Sequence, residues 1–293
     1  MALNILIIGY GYVGQQLGKL LRQNPQYTVY AIKRTYINES HGAQMIFKPT
    51  MELTVDDFPD VDYVFYCASA DTHEVDSYQD TYVEELEHVL RLLTQKRRPP
   101  KHFIYTSSTS VYEVNDGSWV DENTEVSTQD PFSQVLLAGE KLVAEAPFTG
   151  TVVRFSGIYG PNRHPLLNKL MQGNANFCYS TRYSNRIHVI DCARALDHIM
   201  RIEDSEGLYI ASDSEPTPIN TIISWLSTKT GIPMPEARQL EAAETEGGRG
   251  GNKRASNARL LATGFRLDYQ NFHQGFQQIL IDSKIISHDD YSA

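Results

Sequence analysis

NILIIGYGYVGQQLGKLLRQ, running from Asn4 to Gln23, changes its periodicity halfway along. A short β-rich run ends at Ile8, a glycine cluster follows, and Val13, Leu17, Leu20 and Leu21 then recur at the spacing of one helix face. Strand, turn and helix are expected in that order. The turn, GYGYVG, matches G-x-G-x-x-G, and each glycine has a mechanical reason in that context. Gly9 permits the tight turn, Gly11 lets the backbone approach a pyrophosphate, and Gly14 lets helix and strand pack closely. Tyr12 and Val13 open the helix, whose N-terminus offers N–H groups and a positive dipole end to phosphates. The flanking strand and helix carry this expectation, because glycine-rich turns without a ligand are common.

Outward from this unit the same alternation repeats. Thr28–Thr35 (TVYAIKRT), Val61–Ala70 (VDYVFYCASA) and Lys101–Tyr112 (KHFIYTSSTSVY) are expected strands, with Asp80–Gln95 an amphipathic helix before the last. Asp130 can cap a helix at Ser127–Val143 and Pro131 suits its first turn; Phe132, Val135, Leu136, Gly139 and Val143 form its apolar stripe. Thr149–Gly160 reads as a buried strand, His188–Ile202 as a helix and Gly207–Ser212 as a late strand. Strands alternating with helices imply a parallel sheet covered on both faces, a Rossmann-like doubly wound α/β fold. Residues 1–160 with 186–212 are expected to form that domain. Residues 161–185 with 213–293 are expected to form a smaller C-terminal α/β lobe that binds substrate, with 244–253 a mobile loop.

Composition narrows the function classes. A chain of 293 residues can bury a sizeable core, and its hydrophobic fraction of 41% is ordinary for a globular protein. The net charge of −10 argues against nucleic acid, which needs clustered Lys and Arg to displace phosphate counterions. Three widely spaced cysteines, Cys67, Cys178 and Cys192, suit neither a disulfide framework nor a zinc site, so no metal is expected and a reduced cytoplasm is. No stretch could span a bilayer, and the apolar run Ala2–Ile8 is too short for a signal peptide.

The second strand ends at Lys33 and Arg34, about where an NAD site places an acidic residue for the ribose 2′-hydroxyl. Two cations there can pair with a 2′-phosphate, Arg34 in bidentate fashion, so NADP is expected over NAD. Solvated surface charges are the plainer alternative. In a doubly wound sheet the ligand lies beyond the carboxyl ends of the strands. Cys67, Ala68 and Ser69 are small enough there to admit a cofactor, and Thr106–Tyr112 sets several hydroxyls at the mouth of the next strand.

GYGYVG, CASA, TSSTSVY, RFSGIYGP (Arg154–Pro161) and NRIHVIDCARAL (Asn185–Leu196) occur in an order and at intervals that resemble the extended short-chain dehydrogenase/reductase family, the NAD(P)-dependent epimerases and dehydratases. TSSTSVY, DGSWVDE (Asp116–Glu122), NRIHVID and NKRASNARL (Asn252–Leu260) resemble an atypical, YeeZ-like bacterial branch of it. The resemblance implies a catalytic hydroxyl at Ser108 and a Tyr-x-x-x-Lys pair on the following helix. It also implies a Glu four residues past that Lys, which Glu140 matches. Counting back puts Leu136 at the Lys position and Phe132 at the Tyr position. No tyrosine of this chain is followed four residues later by lysine, so no shift of register restores the pair.

That loss has a chemical size. The Tyr hydroxyl exchanges a proton with the substrate oxygen while hydride moves at the nicotinamide, and losing a positioned acid/base costs about 10²–10⁴ in rate, roughly 3–5 kcal/mol. His164, Arg163, Tyr112, Tyr159 and His188 are the candidate substitutes. The expectation is an NADP(H)-binding protein that either reads cofactor occupancy or reduces or epimerises an unidentified small molecule, a carbonyl or sugar-nucleotide, with a rebuilt proton donor. A scaffold with an architectural glycine turn is the third reading. The resemblance also implies a homodimer, paired through helices beginning near Thr81 and Asp130.

Overall fold

The computed structural model describes residues 2–238 and 251–286, apart from the Cys178 side chain. Seven strands form one parallel sheet: β1 Leu3–Ile8, β2 Tyr27–Lys33, β3 Gln44–Phe47, β4 Tyr63–Tyr66, β5 His102–Ser108, β6 Thr149–Phe155 and β7 Leu208–Ala211. Across the sheet they run β7-β6-β5-β4-β1-β2-β3. The chain therefore builds outward from β1 to β3 and returns to β4 on the other side of β1. Doubly wound sheets bind ligands at this reversal. β3 has no counterpart among the expected strands; its four residues, QMIF, are too short to show an alternation.

Register brings three strand ends level. Ile8 pairs with Ile32 of β2 and Tyr66 of β4. The pattern continues one residue further, where Gly9 N–H donates to Ile32 O (3.1 Å) and Cys67 N–H to Ile8 O (2.7 Å). The glycine turn, Lys33 and the CASA segment thus share one height above the sheet.

Both faces are covered because successive residues of β1 point to opposite sides. On one side helix α1, Tyr12–Leu21, comes so close that a Cβ on Gly14 would lie 3.3 Å from the Ile7 side chain. On the other, Leu6 and Ile8 join a buried cluster with Leu86, Val89 and Leu93. These three come from helix α3, Glu85–Gln95, which follows helix α2, Val75–Gln79, through a π-helical turn at Asp80–Glu84. The single amphipathic helix expected at 80–95 is therefore longer and interrupted. Helix α4, Pro131–Ala144, starts as its cap residues require, with Asp130 accepting from Ser133 N–H at 2.9 Å and Pro131 in the first turn. Its Gly139 is needed for packing, since a Cβ there would sit 2.4 Å from Tyr82 O in the π turn.

The chain divides into two compact units. The first comprises 1–111, 127–155 and 192–209, and the second 112–126, 156–191 and 210–293. The second contains helices α5 Pro165–Met171, α7 Ile219–Thr230, α8 Ala258–Ala262 and α9 Phe272–Asp282; helix α6, Val189–Met200, runs from it into the first. Leu167, Leu170, Ile222, Leu226, Phe276 and Ile279 form part of its core, and short strand pairs such as Gly157–Tyr159 with Arg186–His188 frame it. The stretch expected to be a mobile loop, 244–253, lies outside the described residues as far as 250. At its end the expectation is corrected: Lys253 is 1% exposed and its Nζ donates to Tyr112 O at 2.8 Å. Burying an amine without such a partner would cost several kcal/mol, about the range for an uncompensated polar group, so this residue is fixed in place. No helix among the described residues is long and apolar enough to cross a membrane.

Candidate cofactor site

A cleft of about 150 Å³ opens at the level carboxyl ends of β1, β2 and β4, within the first unit. Gly9, Gly11, Lys33, Arg34, Cys67, Ala68 and Ser69 line it together, from three segments far apart in the chain. Tyr12, Val13 and Gly14 are not in its lining; Gly14 serves the helix–strand contact instead, since a Cβ there would meet Gly9 O at 2.4 Å.

The glycines test whether the cleft suits a dinucleotide. Gly9 has φ +87°, and a Cβ on it would fall 2.3 Å from Ala68 N, so no L side chain fits. Gly11 differs, because nothing lies within 4 Å of its Cβ position. The space above it is open, as a pyrophosphate approaching the backbone requires. Gly11 is also the N-cap of α1, and no side chain caps that ten-residue helix. Its positive end therefore lies at the cleft, an arrangement suited to phosphate. These residues fit the phosphate end of a nicotinamide dinucleotide.

The wall beside the cations carries charges that spacing alone did not reveal. Arg34 is ion-paired with Asp71, and Glu85, half-buried, lines the same cleft. The hydrogen bond from Arg34 holds the Asp71 carboxyl below the usual carboxylate range, and burial pushes the Glu85 carboxyl up. Thr50 and Thr81 complete this wall. Asp71 follows CASA directly, so proximity to a strand end was a usable signal; Glu85 and Thr81 sit in a helical stretch that reads only as amphipathic. The Cys67 thiol is pushed up to about 12 by burial, so it stays protonated and is no nucleophile at neutral pH.

The hydroxyl and α4 lie in the same unit. Ser108 Oγ accepts from Ser110 N–H at 3.1 Å, and Ser133 Oγ donates to Ser110 O at 3.2 Å, which ties the N-terminal turn of α4 to the end of β5. Ser108 does not line the cleft. Phe132 stacks on His73 with ring centroids 4.2 Å apart and meets the Tyr78 ring edge-on at 5.0 Å. Leu136 is 3% exposed. His73 was not among the residues singled out from sequence, and its place opposite Phe132 is set by the loop after β4.

Three further residues hold this region in shape. Ser107 Oγ donates to Glu140 Oε1 at 2.6 Å, and Arg154 reaches both Glu140 oxygens, Nε to Oε1 at 2.9 Å and Nη2 to Oε2 at 2.6 Å. Tyr105 OH is buried with no hydrogen-bond partner. The candidate substitutes for a proton donor all belong to the second unit. Tyr112 OH donates to Asp121 O at 2.8 Å, while His188 and Tyr159 are buried and packed edge to face. Burial lowers the His188 pKa to about 4, so it is neutral at pH 7. His164 precedes α5, and Arg163 bridges to Gly160.

Sheet order, switch-point cleft and glycine cradle define an NAD(P)-binding Rossmann protein. Residues 5–209 match the NAD dependent epimerase/dehydratase family, and the chain belongs to it. No curated protein matches. Among solved structures, a protein from Methylobacillus flagellatus assigned by name to the NAD-dependent epimerases/dehydratases is 28% identical, with TM-score 0.78, covering 97% of this chain and 100% of that one. MoeE5, solved with UDP-glucuronic acid and NAD, superposes with TM-score 0.81 at 20% identity over 96% of this chain and 99% of its own. Human SDR39U1 (isoform 2), solved with NADPH, gives 0.78 at 18% over 94% and 98%.

Proposed function

We propose that this chain is an NADP(H)-binding member of the family, of the atypical YeeZ-like branch, in which the family's proton relay is replaced by apolar side chains. In this reading Phe132 and Leu136 stand at the Tyr and Lys positions, and Ser108 is the remaining hydroxyl. The observation that carries it is the contrast within one unit between the open glycine cradle beside Lys33 and Arg34 and the ring-packed Phe132 and buried Leu136 on α4. Ser108 can orient an oxygen but is a poor proton donor at neutral pH. The protein then binds the cofactor without turning it over, and cofactor occupancy or redox state alters a surface that a partner reads. Solved neighbours carry NADPH in one case and NAD in another, so the choice of NADP rests on Lys33 and Arg34 beside the cradle.

One contact favours a second reading, a reductase or epimerase acting on a carbonyl or sugar-nucleotide. His73 stacks against the ring of Phe132, and imidazole is the side chain best suited to proton transfer near neutrality. The two separate in one assay. NADPH deuterated at C4 is incubated with the protein and a panel of ketones, aldehydes and UDP-sugars, and label transfer is followed by mass spectrometry. The binding protein takes up NADPH in a parallel calorimetric titration and transfers no label. Label transfer that is lost in His73→Gln establishes the enzyme instead, and no binding of either dinucleotide sinks both. Paired α2–α3 and α4 helices would make the homodimer, which light scattering of the purified chain tests directly.

A further inference from the structure

Glycines and cations account for phosphate binding, but they leave Asp71 unexplained. It sits four residues beyond Cys67, which lies just past the end of β4, and its carboxylate is ion-paired with the Arg34 guanidinium. Both side chains line the cleft, and both are about half exposed, 49% for Arg34 and 58% for Asp71, so the pair stands within reach of an arriving ligand. Lys33, beside Arg34 in sequence, also lines the cleft and attracts the same carboxylate. The group best able to take a 2′-phosphate is therefore already engaged through one of its nitrogens.

The Arg34 Nη2 that donates to the Asp71 carboxylate cannot give that same N–H to a phosphate. A 2′-phosphate carries close to two negative charges at neutral pH, and it must either displace Asp71 from Arg34 or settle beside it against like-charge repulsion. A ribose 2′-hydroxyl meets neither obstacle. It is uncharged and can donate to a carboxylate oxygen while the ion pair stays closed.

We propose that Asp71 sets the discrimination between NADP(H) and NAD(H), by holding Arg34 in an ion pair that a 2′-phosphate has to open and a 2′-hydroxyl does not. This rests on the reading of the cleft as a nicotinamide dinucleotide site. Arg34 supplies the affinity for the phosphate, and Asp71 subtracts from it.

Wild type, Asp71→Asn, Arg34→Ala and the double variant are titrated with NADPH and with NADH by calorimetry at one ionic strength, since screening alters such contacts. Asp71→Asn is expected to bind NADPH about three- to tenfold more tightly, the size of an exposed ion pair plus the relieved repulsion, with NADH changed less than about twofold. Arg34→Ala weakens NADPH, and adding Asp71→Asn to it brings a smaller gain than in wild type, the relieved repulsion alone. Unchanged or weaker NADPH binding by Asp71→Asn overturns the proposal. So does an equal gain in the Arg34→Ala background, which marks a general charge effect. A wild-type protein that binds neither dinucleotide overturns the cofactor reading itself, and a wild type that binds NADPH while Asp71→Asn behaves identically overturns only the role of Asp71.

Discussion

Replacing Glu140 with alanine should loosen the joint that holds α4 against the sheet. Its carboxylate is 10% exposed and the Arg154 side chain 5%, and the two make a bidentate pair to which Ser107 of β5 adds a third hydrogen bond. Removing Glu140 takes away the carboxylate that compensates a buried guanidinium, and such truncations cost about 3–5 kcal/mol. At roughly 2 °C per kcal/mol for a chain of this size, the melting temperature should fall by roughly 6–10 °C. Replacing both charges, as Glu140→Leu with Arg154→Met, removes the desolvated ions together and should return stability to within about 1 kcal/mol of wild type. Urea unfolding followed by circular dichroism measures each variant, with fluorescence as a second probe. A loss below about 1 kcal/mol for Glu140→Ala, or a double variant no better than the single, would refute the account of this pair as a buried and mutually dependent contact. The consequence reaches the site, because α4 carries Phe132 and Leu136 while β5 ends in Ser108.

Gly9→Ala should abolish dinucleotide binding in a calorimetric titration and lower stability by a few kcal/mol, about the cost of a forced positive φ plus a clash with Ala68; binding retained within tenfold would show that the turn can relax. His102 has its pKa lowered by burial to about 4 from 6.5, so the native state binds fewer protons than the unfolded chain. Its contribution is intact above pH 6.5, and as pH falls toward 4 stability drops by up to about 3 kcal/mol; His102→Leu should flatten that slope, with His188 still titrating in the same window. Tyr105→Phe removes a buried hydroxyl that has no partner, so unfolding free energy should stay level or rise by about 1 kcal/mol; a loss above 1 kcal/mol would reveal a bound water or other partner for that oxygen.

Much of the first unit was legible in the order of residues because its signals are local. The glycine turn, the apolar strands and the Asp130-Pro131 start of α4 each depend on neighbours a few positions away, where period and backbone chemistry act directly. β3 escaped because four residues hold too little period, and the break at Asp80–Glu84 escaped because helical spacing is nearly the same through a π turn.

What spacing could not supply were partnerships across long stretches of chain. Arg34 reads from sequence as one of two cations awaiting phosphate, and only the level ends of β2 and β4 set Asp71 against it. Phe132 reads as the absence of a tyrosine, and only the loop after β4 lays His73 across its ring. Lys253 reads as part of a glycine-rich loop, and only packing takes its amine out of water and onto the Tyr112 carbonyl. The sequence determined where a nucleotide would be cradled, since that follows from the missing side chains of three neighbouring glycines, which permit a tight turn, an open approach and a close helix–strand contact. The tertiary structure decided which charges and rings surround the cradle, because burial and pairing depend on distances that no local pattern encodes.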